Sequence, residues 1–287
     1  MTVFAFCHRY GDTSIYQFDS ASPSSLPFAV RQGLGNVTSI AFTAAKEFLF
    51  VDQTSKIFKT GPDGLSLVYA HDAPIVRVRV RNVTGTERIY FSVLRQGATF
   101  CDIYFLQAYP GGPHALIPTL YMTVEATQLT FPDGCHPDDQ SLPEWWGYTG
   151  DFDFDGDDTL YLSTGGIQAP KVGVYKIDQA GPDSVSGTIS RIYLGEGPIT
   201  SLCYRVPQTL YFLRVNDVCK LDLATLSETL EGTITLVPPN AWLCDIAEIG
   251  EGFPVPIFWP GKSFVYKALQ KLAVGIIGYE NPTTRHR

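Results

Sequence analysis

A chain of 287 residues, 45% hydrophobic and only 17% charged, has the material for a large folded interior and does not read as a disordered segment. Its 29 acidic residues outnumber 21 basic ones, and the net charge of -8 excludes a non-specific nucleic-acid binder or a protein that docks on anionic membranes. A neutral or cationic small molecule, or a metal cation, suits that balance better.

The opening stretch MTVFAFCHRYGD has no basic region followed by an apolar run of signal-peptide length. No window approaches the roughly 18 apolar residues of a membrane-spanning helix. The expectation is a soluble, cytoplasmic protein. Six cysteines (Cys7, Cys101, Cys135, Cys203, Cys219 and Cys244) are scattered without a CxxC pair, which fits free thiols in a chain large enough to fold without staples.

Along the chain, short alternating β-branched and aromatic runs recur between Gly, Pro, Asp and Asn punctuation. The first are TVFAF and SIYQFD. There follow FLFVD with KIFKT, IYFSV with DIYFLQ, LYLST with GVYKID, LYFLR with VCKLD, and PIFWP with FVYKAL. A helical pattern is suggested only at Ala44 to Phe48 and Tyr266 to Leu272.

Tyr16, Phe58, Tyr104, Tyr175, Cys219 and Tyr266 mark one position of this repeat, at intervals of 42, 46, 71, 44 and 47 residues. Four of the intervals match a β-propeller blade, about 40–50 residues. The long interval holds an insertion at about 109–148. The pattern predicts an all-β fold, a single six-bladed β-propeller domain over 1–287. Its N-terminal blade has second, third and fourth strands around Val3, Ile15 and Phe28. The C-terminal tail, at AVGIIGY, is expected to add the innermost strand and close the ring.

In this frame DFDFDGDDTLYLSTGG supplies the first two strands of the fourth blade, matching SIAFTAAKEFLFVDQ in the second and SLCYRVPQTLYFLRV in the fifth. DGDD then forms the turn. The alternative is a calcium loop of the DxDxDG kind, for which Asp151, Asp153, Asp155 and Gly156 fit the opening, although Leu162 stands where glutamate is needed. In a strand, Asp151, Asp153 and Asp155 share one face, opposite Phe152 and Phe154.

The blade pattern resembles the six-bladed propellers of the NHL and gluconolactonase/regucalcin-like superfamily. A further match is LGEGPITSLCYRVPQTLYFLRVNDVCKLDLAT, from Leu194 to Thr225. In the lactonase-like members a segment similar to LGEGP opens a blade and its glutamate holds the catalytic divalent metal, which implies Glu196 as a ligand. Here the segment precedes the fifth blade instead of lying near the N-terminus, and the family's downstream asparagine and aspartate motifs have no ordered copies.

Loops leading from one blade's outer strand to the next blade's inner strand converge on one channel mouth. Those loops carry Asn36, Asp72, Asp151, Glu196 and Asn240, an oxygen-only set suited to Ca²⁺ or another divalent cation. Asn and Asp are also ordinary turn residues. The leading expectation is a small-molecule enzyme, a lactonase- or esterase-like hydrolase. Glu196, Asp151, Asn36 and Asn240 hold its metal, and Asp151 or Asp245 is the general base.

The insertion, PDGCHPDDQSLPEWWGYTGDFD, offers Trp145, Trp146 and Tyr148 as an aromatic wall, with His136 as a shuttle or ligand and Asp72 nearby. The bland alternative is a plug between blades and a solvated histidine. Either Cys7 or His8 is expected to face the channel. Two other readings stand beside the hydrolase: a non-catalytic carbohydrate- or protein-binding propeller, and a metal-independent biosynthetic enzyme with an aromatic pocket.

Overall fold

The computed structural model describes residues 3–8, 14–19, 28–31, 37–45, 47–52, 55–61, 64–83, 85–93, 99–108, 116–125, 151–155, 159–163, 171–178, 189–196, 199, 201–205, 207–234 and 243–248. Among them there is no helix. Ala44 and Ala45 form a turn rather than the start of one, and Phe48 begins a strand.

The strands assemble into five four-stranded antiparallel sheets among the described residues. The second sheet contains β4 (Val37–Phe42), β5 (Phe48–Asp52), β6 (Lys56–Gly61) and β7 (Gly64–Ala70) in order. The third contains β8 (Ile75–Val83), β9 (Thr86–Val93), β10 (Thr99–Ala108) and β11 (Leu116–Glu125). The fourth has β12 (Phe152–Phe154), β13 (Leu160–Ser163), β14 (Lys171–Ile177) and β15 (Ile189–Glu196). The fifth has β16 (Ser201–Arg205), β17 (Thr209–Arg214), β18 (Asp217–Asp222) and β19 (Ser227–Thr233).

The first sheet joins the two ends of the described chain. Its β1 (Val3–His8), β2 (Ser14–Asp19) and β3 (Phe28–Arg31) are the expected second, third and fourth strands, and β20 (Leu243–Glu248) is the innermost. Phe4, Ala5 and Phe6 pair with Glu248, Ala247 and Ile246. The closing strand is therefore 243–248 and not AVGIIGY, which lies outside the described residues.

The innermost strands follow one another in a closed cycle, β20 against β4, β4 against β8, β8 against β12, β12 against β16, and β16 against β20. This is an all-β propeller. The expected sixth blade has no sheet among the described residues, and the cycle closes without one. Its marker, Tyr266, lies outside them. The other markers, Tyr16, Phe58, Tyr104, Tyr175 and Cys219, all fall on third strands.

Apolar side chains fill the junctions between sheets. Ala41, Leu49, Val51 and Ile57 meet Val78, Phe91 and Leu106. Tyr90, Ile103, Phe105 and Tyr121 meet Phe152, Phe154 and Leu162. Tyr161 and Val174 meet Leu202, Phe212 and Leu221. Cys203, Tyr211 and Leu213 meet Ile246 and Tyr16, so the fifth sheet packs directly on the first. Strands with a sheet on each side are buried on both faces, as in LYLS of β13. The outer strand β19 is largely exposed, and Glu228 and Glu231 on it discourage edge-to-edge pairing.

Two expectations shift in consequence. Because β11 occupies Leu116–Glu125, the extra sequence of the long interval begins after it. Because β1 is second in its sheet, neither Cys7 nor His8 lies on an innermost strand. Cys203 and Cys219 are buried free thiols.

Candidate functional site on the propeller axis

The innermost strands share a short pattern: Ser39-Ile-Ala-Phe, Arg77-Val-Arg-Val, Asp151-Phe-Asp-Phe, Ser201-Leu-Cys-Tyr and Asp245-Ile-Ala-Glu. Each first residue is polar and the next is apolar. Alternation sends the apolar residue into a sheet–sheet junction and the polar one to the opposite face. There it reaches the neighbouring inner strand.

At four junctions that contact is the same bond. The Ile40 N–H donates to Asp245 Oδ2 at 2.7 Å and the Val78 N–H to Ser39 Oγ at 3.0 Å. The Leu202 N–H donates to Asp151 Oδ2 at 2.7 Å and the Ile246 N–H to Ser201 Oγ at 3.0 Å. Between the third and fourth sheets the corresponding residue is Arg77, which has no acceptor to offer. The Phe152 N–H turns to the Asp151 carboxylate at 2.8 Å, and Arg79 Nε bridges the junction by donating to the Phe152 carbonyl at 3.1 Å.

Arg79 gathers the layer together. Its Nη2 donates to Asp245 Oδ1 at 2.9 Å, to the Leu202 carbonyl at 3.1 Å and to Asp151 Oδ2. Its Nη1 lies 3.3 Å from Asp245 Oδ2. Ser39 Oγ donates to Asp245 Oδ2 at 2.5 Å. Arg77 is set against the same group, with Nε 3.6 Å from Asp151 Oδ1 and Nη1 donating to the Thr38 carbonyl at 2.7 Å. Arg79, Arg77, Ser39, Asp151, Asp245 and Ser201 are each no more than 7% exposed. Buried charges of this kind persist only when paired and fully hydrogen-bonded.

Ser201 Oγ lies 2.7 Å from Asp151 Oδ2 and 2.6 Å from Asp245 Oδ1. A hydroxyl has one proton, so it serves only one of the two carboxylates, and the other contact is relieved by a proton on a carboxyl group. Burial pushes Asp151 up, and the Asp245 charge adds to that against the pull of Arg79. Burial also acts to raise Asp245, but Arg79, Arg77 and the Ser201 bond outweigh it and leave Asp245 lowered. A proton is therefore held more readily by Asp151 than by Asp245. One layer further in, burial raises Asp153 to about 6, against Arg79 and the Tyr204 and Phe154 N–H groups.

The structure thus brings together Asp151 and Asp245, which are distant in sequence, and both touch the Arg79 guanidinium. It does not bring Glu196 to them. Glu196 ends β15, the outermost strand of the sheet whose innermost strand Asp151 precedes. Three strand spacings, roughly 14 Å, separate those positions. Asp72 is exposed in the turn before β8 and adds to the burial-driven upward shift of Tyr69. Asn36, Asn240, His136, Trp145, Trp146 and Tyr148 lie outside the described residues, as does the Glu196 side chain. Among the described residues no three His, Cys, Asp or Glu side chains group as a metal site.

The opening of the acidic segment forms a hairpin. β12 and β13 pair from Phe152↔Leu162 to Phe154↔Leu160, and Asp155 Oδ1 accepts the Thr159 N–H at 3.0 Å across the turn.

No family model matches this chain, and no curated protein does. Solved structures similar to it include a PQQ-bound aldose sugar dehydrogenase from Streptomyces coelicolor, 8% identical with a TM-score of 0.42, over 76% of this chain and 96% of that one. Another is a glucose dehydrogenase-like oxidoreductase from Thermus thermophilus, 10% identical with a TM-score of 0.38, over 75% and 97%. A calcium-binding regucalcin from Agrobacterium tumefaciens is 10% identical with a TM-score of 0.38, over 68% of this chain and 58% of that one. The fold itself rests on this chain's strand order and its circumferential bonds.

Arg79, Arg77, Ser39 and Ser201 are absent from the site expected from sequence. A signal existed for each. IVRVRVRNV places three arginines on one face of a strand, and the alignment of SIAF, DFDF and SLCY puts Ser39, Asp151 and Ser201 in one column.

Proposed function

We propose that this protein acts on a small molecule at the propeller mouth where the inner strands begin, on a ring of five blades, with Asp151 as its acid–base group and without a metal on that residue. What carries the reading is the convergence of Asp151, Asp245, Ser39, Ser201 and the two arginines. All five inner strands contribute to one buried polar layer.

Asp151 does not fit a calcium ligand. Its Oδ2 already accepts from Leu202 and Arg79 and lies 2.7 Å from Ser201 Oγ, and Arg77 faces Oδ1. A divalent cation there would stand beside two guanidinium groups. The outlying position of Glu196 speaks against the same metal set. Asp245 is the counterion of Arg79 and stays ionised, so it is a positioning residue. Asp151 carries the exchangeable proton and begins the inner strand that follows the Trp145, Trp146 and Tyr148 segment. Acid-assisted opening of a lactone or ester is one reaction open to such a site. The first polar residue is not one repeated type (Ser39, Arg77, Asp151, Ser201, Asp245), which favours one site over a lectin's repeated ones.

A thermal-shift panel of lactones, sugars and aromatic carboxylates tests this reading, each compound measured with excess calcium and with EDTA. The expected result is stabilisation by one class, indifferent to EDTA and lost in Asp151→Asn. Stabilisation that requires calcium, or none from any class, contradicts it.

A further inference from the structure

The outer strand of each described sheet is an edge, and these edges differ in chemistry. β3 carries Arg31, and β15 carries Arg191. β11 contains Pro118, which interrupts a ladder. β7 has no charge of its own and lies beside Lys56 and Lys59 of β6. Only β19 among these edges combines two acidic residues, Glu228 and Glu231, with neither a proline nor a basic residue. It is also bare. Every residue from Ala224 to Leu230 is exposed, Leu226 at 45% and Leu230 at 57%. Among the described residues β19 pairs only with β18, which leaves half of its main-chain groups at a free edge.

The sequence supplies a segment of the opposite character. The 39 residues after Glu248 carry Lys262, Lys267, Lys271, Arg285 and Arg287 against Glu251 and Glu280, a net of +3. The residues before them therefore carry -11 of the net -8. Within this stretch GKSFVYKALQK, 261–271, sets its lysines among apolar residues and holds no acidic one. The reach is sufficient. β16 packs on β20, and β19 stands three strand spacings, roughly 14 Å, outward from β16. The 13 residues of 249–261 span up to about 43 Å when extended.

We propose that 262–271 lies along the free edge of β19 in the same chain, as a fifth strand of the fifth sheet. Main-chain bonds along the edge supply the attachment, and the lysines beside the two glutamates select this edge over the other four. The apolar residues between the lysines take Leu226 and Leu230 out of water. A second copy's β19 is the wrong occupant, because it would set glutamate against glutamate.

The test is carbodiimide cross-linking of the full chain, using a mixture of unlabelled and ¹⁵N-labelled protein read by mass spectrometry. Links are expected from Lys262, Lys267 or Lys271 to Glu228 or Glu231, joining peptides of one isotope only. Hydrogen exchange gives the second readout. Amides of 227–233 should exchange roughly tenfold faster once Lys262→Glu, Lys267→Glu and Lys271→Glu are combined. Glu231→Lys alone should act in the same direction, since Glu228 is already bonded to Arg214 within its own sheet. Adding Glu231→Lys to the triple variant should restore part of the protection. If the triple variant also loses protection at 37–42, the cross-links and Glu231→Lys alone decide. The absence of links between the two segments, or exchange of 227–233 that ignores both reversals, overturns the proposal. Links joining labelled to unlabelled peptides overturn it as well, by making the occupant a second copy.

Discussion

Four junctions of the propeller and the fifth are built by different means. At the four, a serine or aspartate oxygen accepts the neighbouring strand's N–H at 2.7–3.0 Å, the same bond each time. At the junction between the third and fourth sheets a guanidinium stands there, and Arg79 reaches across to the Phe152 carbonyl. The first kind is a repeated solution to ring closure and would serve any ligand or none. The second gives up a repeated bond for a buried charge, a departure more readily understood as serving a function than as serving closure.

Removing a carboxylate that both kinds of junction depend on should give the largest effect. Asp245→Ala takes the partner from Arg79, the acceptor from Ile40 and the bond from Ser201. A cost of roughly 3–5 kcal/mol is expected in urea denaturation, as for an uncompensated buried charge.

The next effect is one of pH. Asp153 is raised to about 6 in the folded protein. Its contribution to stability is complete below its ordinary unfolded range, near 4, and is lost as pH rises through about 6. Relative to Asp153→Asn, the wild type should lose on the order of 2 kcal/mol between pH 4 and 6.5. Parallel stability curves for the two proteins would contradict that upward shift.

Ser39→Ala sharpens the contrast between junctions. It deletes the acceptor for Val78 and the donor to Asp245, which should cost about 1–2 kcal/mol in urea denaturation. No loss in this variant would take the repeated bond out of ring closure.

The smallest effect lies far from the axis. Val215 is the first loop residue of the Arg214–Asp217 hairpin and has φ +59°, a conformation that a β-branched side chain strains to adopt. Val215→Gly should stabilise by about 1 kcal/mol, without altering ligand-induced stabilisation in the thermal-shift panel.

Much of the frame was legible because strand alternation and turn residues are local. The spacing of Tyr16, Phe58, Tyr104, Tyr175 and Cys219 found the third strand of every described sheet. The hairpin reading of DFDFDGDDTLYLST and the one-faced aspartates also match, with Asp151 and Asp153 bonded to the fifth sheet and Phe152 and Phe154 packed on the third. Closure was misassigned because LCDIAE and the start of a further blade look alike. Pairing with β1 is a long-range fact that no local pattern encodes.

The site was half legible for the same reason. Asp151 and Asp245 were singled out from their chemistry, Asp151 as a metal ligand with Asp151 or Asp245 as general base. The cation that holds them is Arg79, whose chemistry is visible in IVRVRVRNV only once that strand is known to line the axis. Glu196 was drawn in by LGEGP. The motif instead closes an outer strand, where a Cβ on Gly195 would fall 2.6 Å from the Tyr193 ring, so that the glycine seats an aromatic side chain.

The central claim is that 243–248 closes the ring as the innermost strand of the first sheet. Hydrogen exchange read by mass spectrometry tests it directly, by comparing 243–248 with 37–42 in the wild type and in Asp245→Asn. The two segments should be equally protected in the wild type and should lose protection together in the variant. Rapid, loop-like exchange of 243–248 while 37–42 stays protected would contradict it.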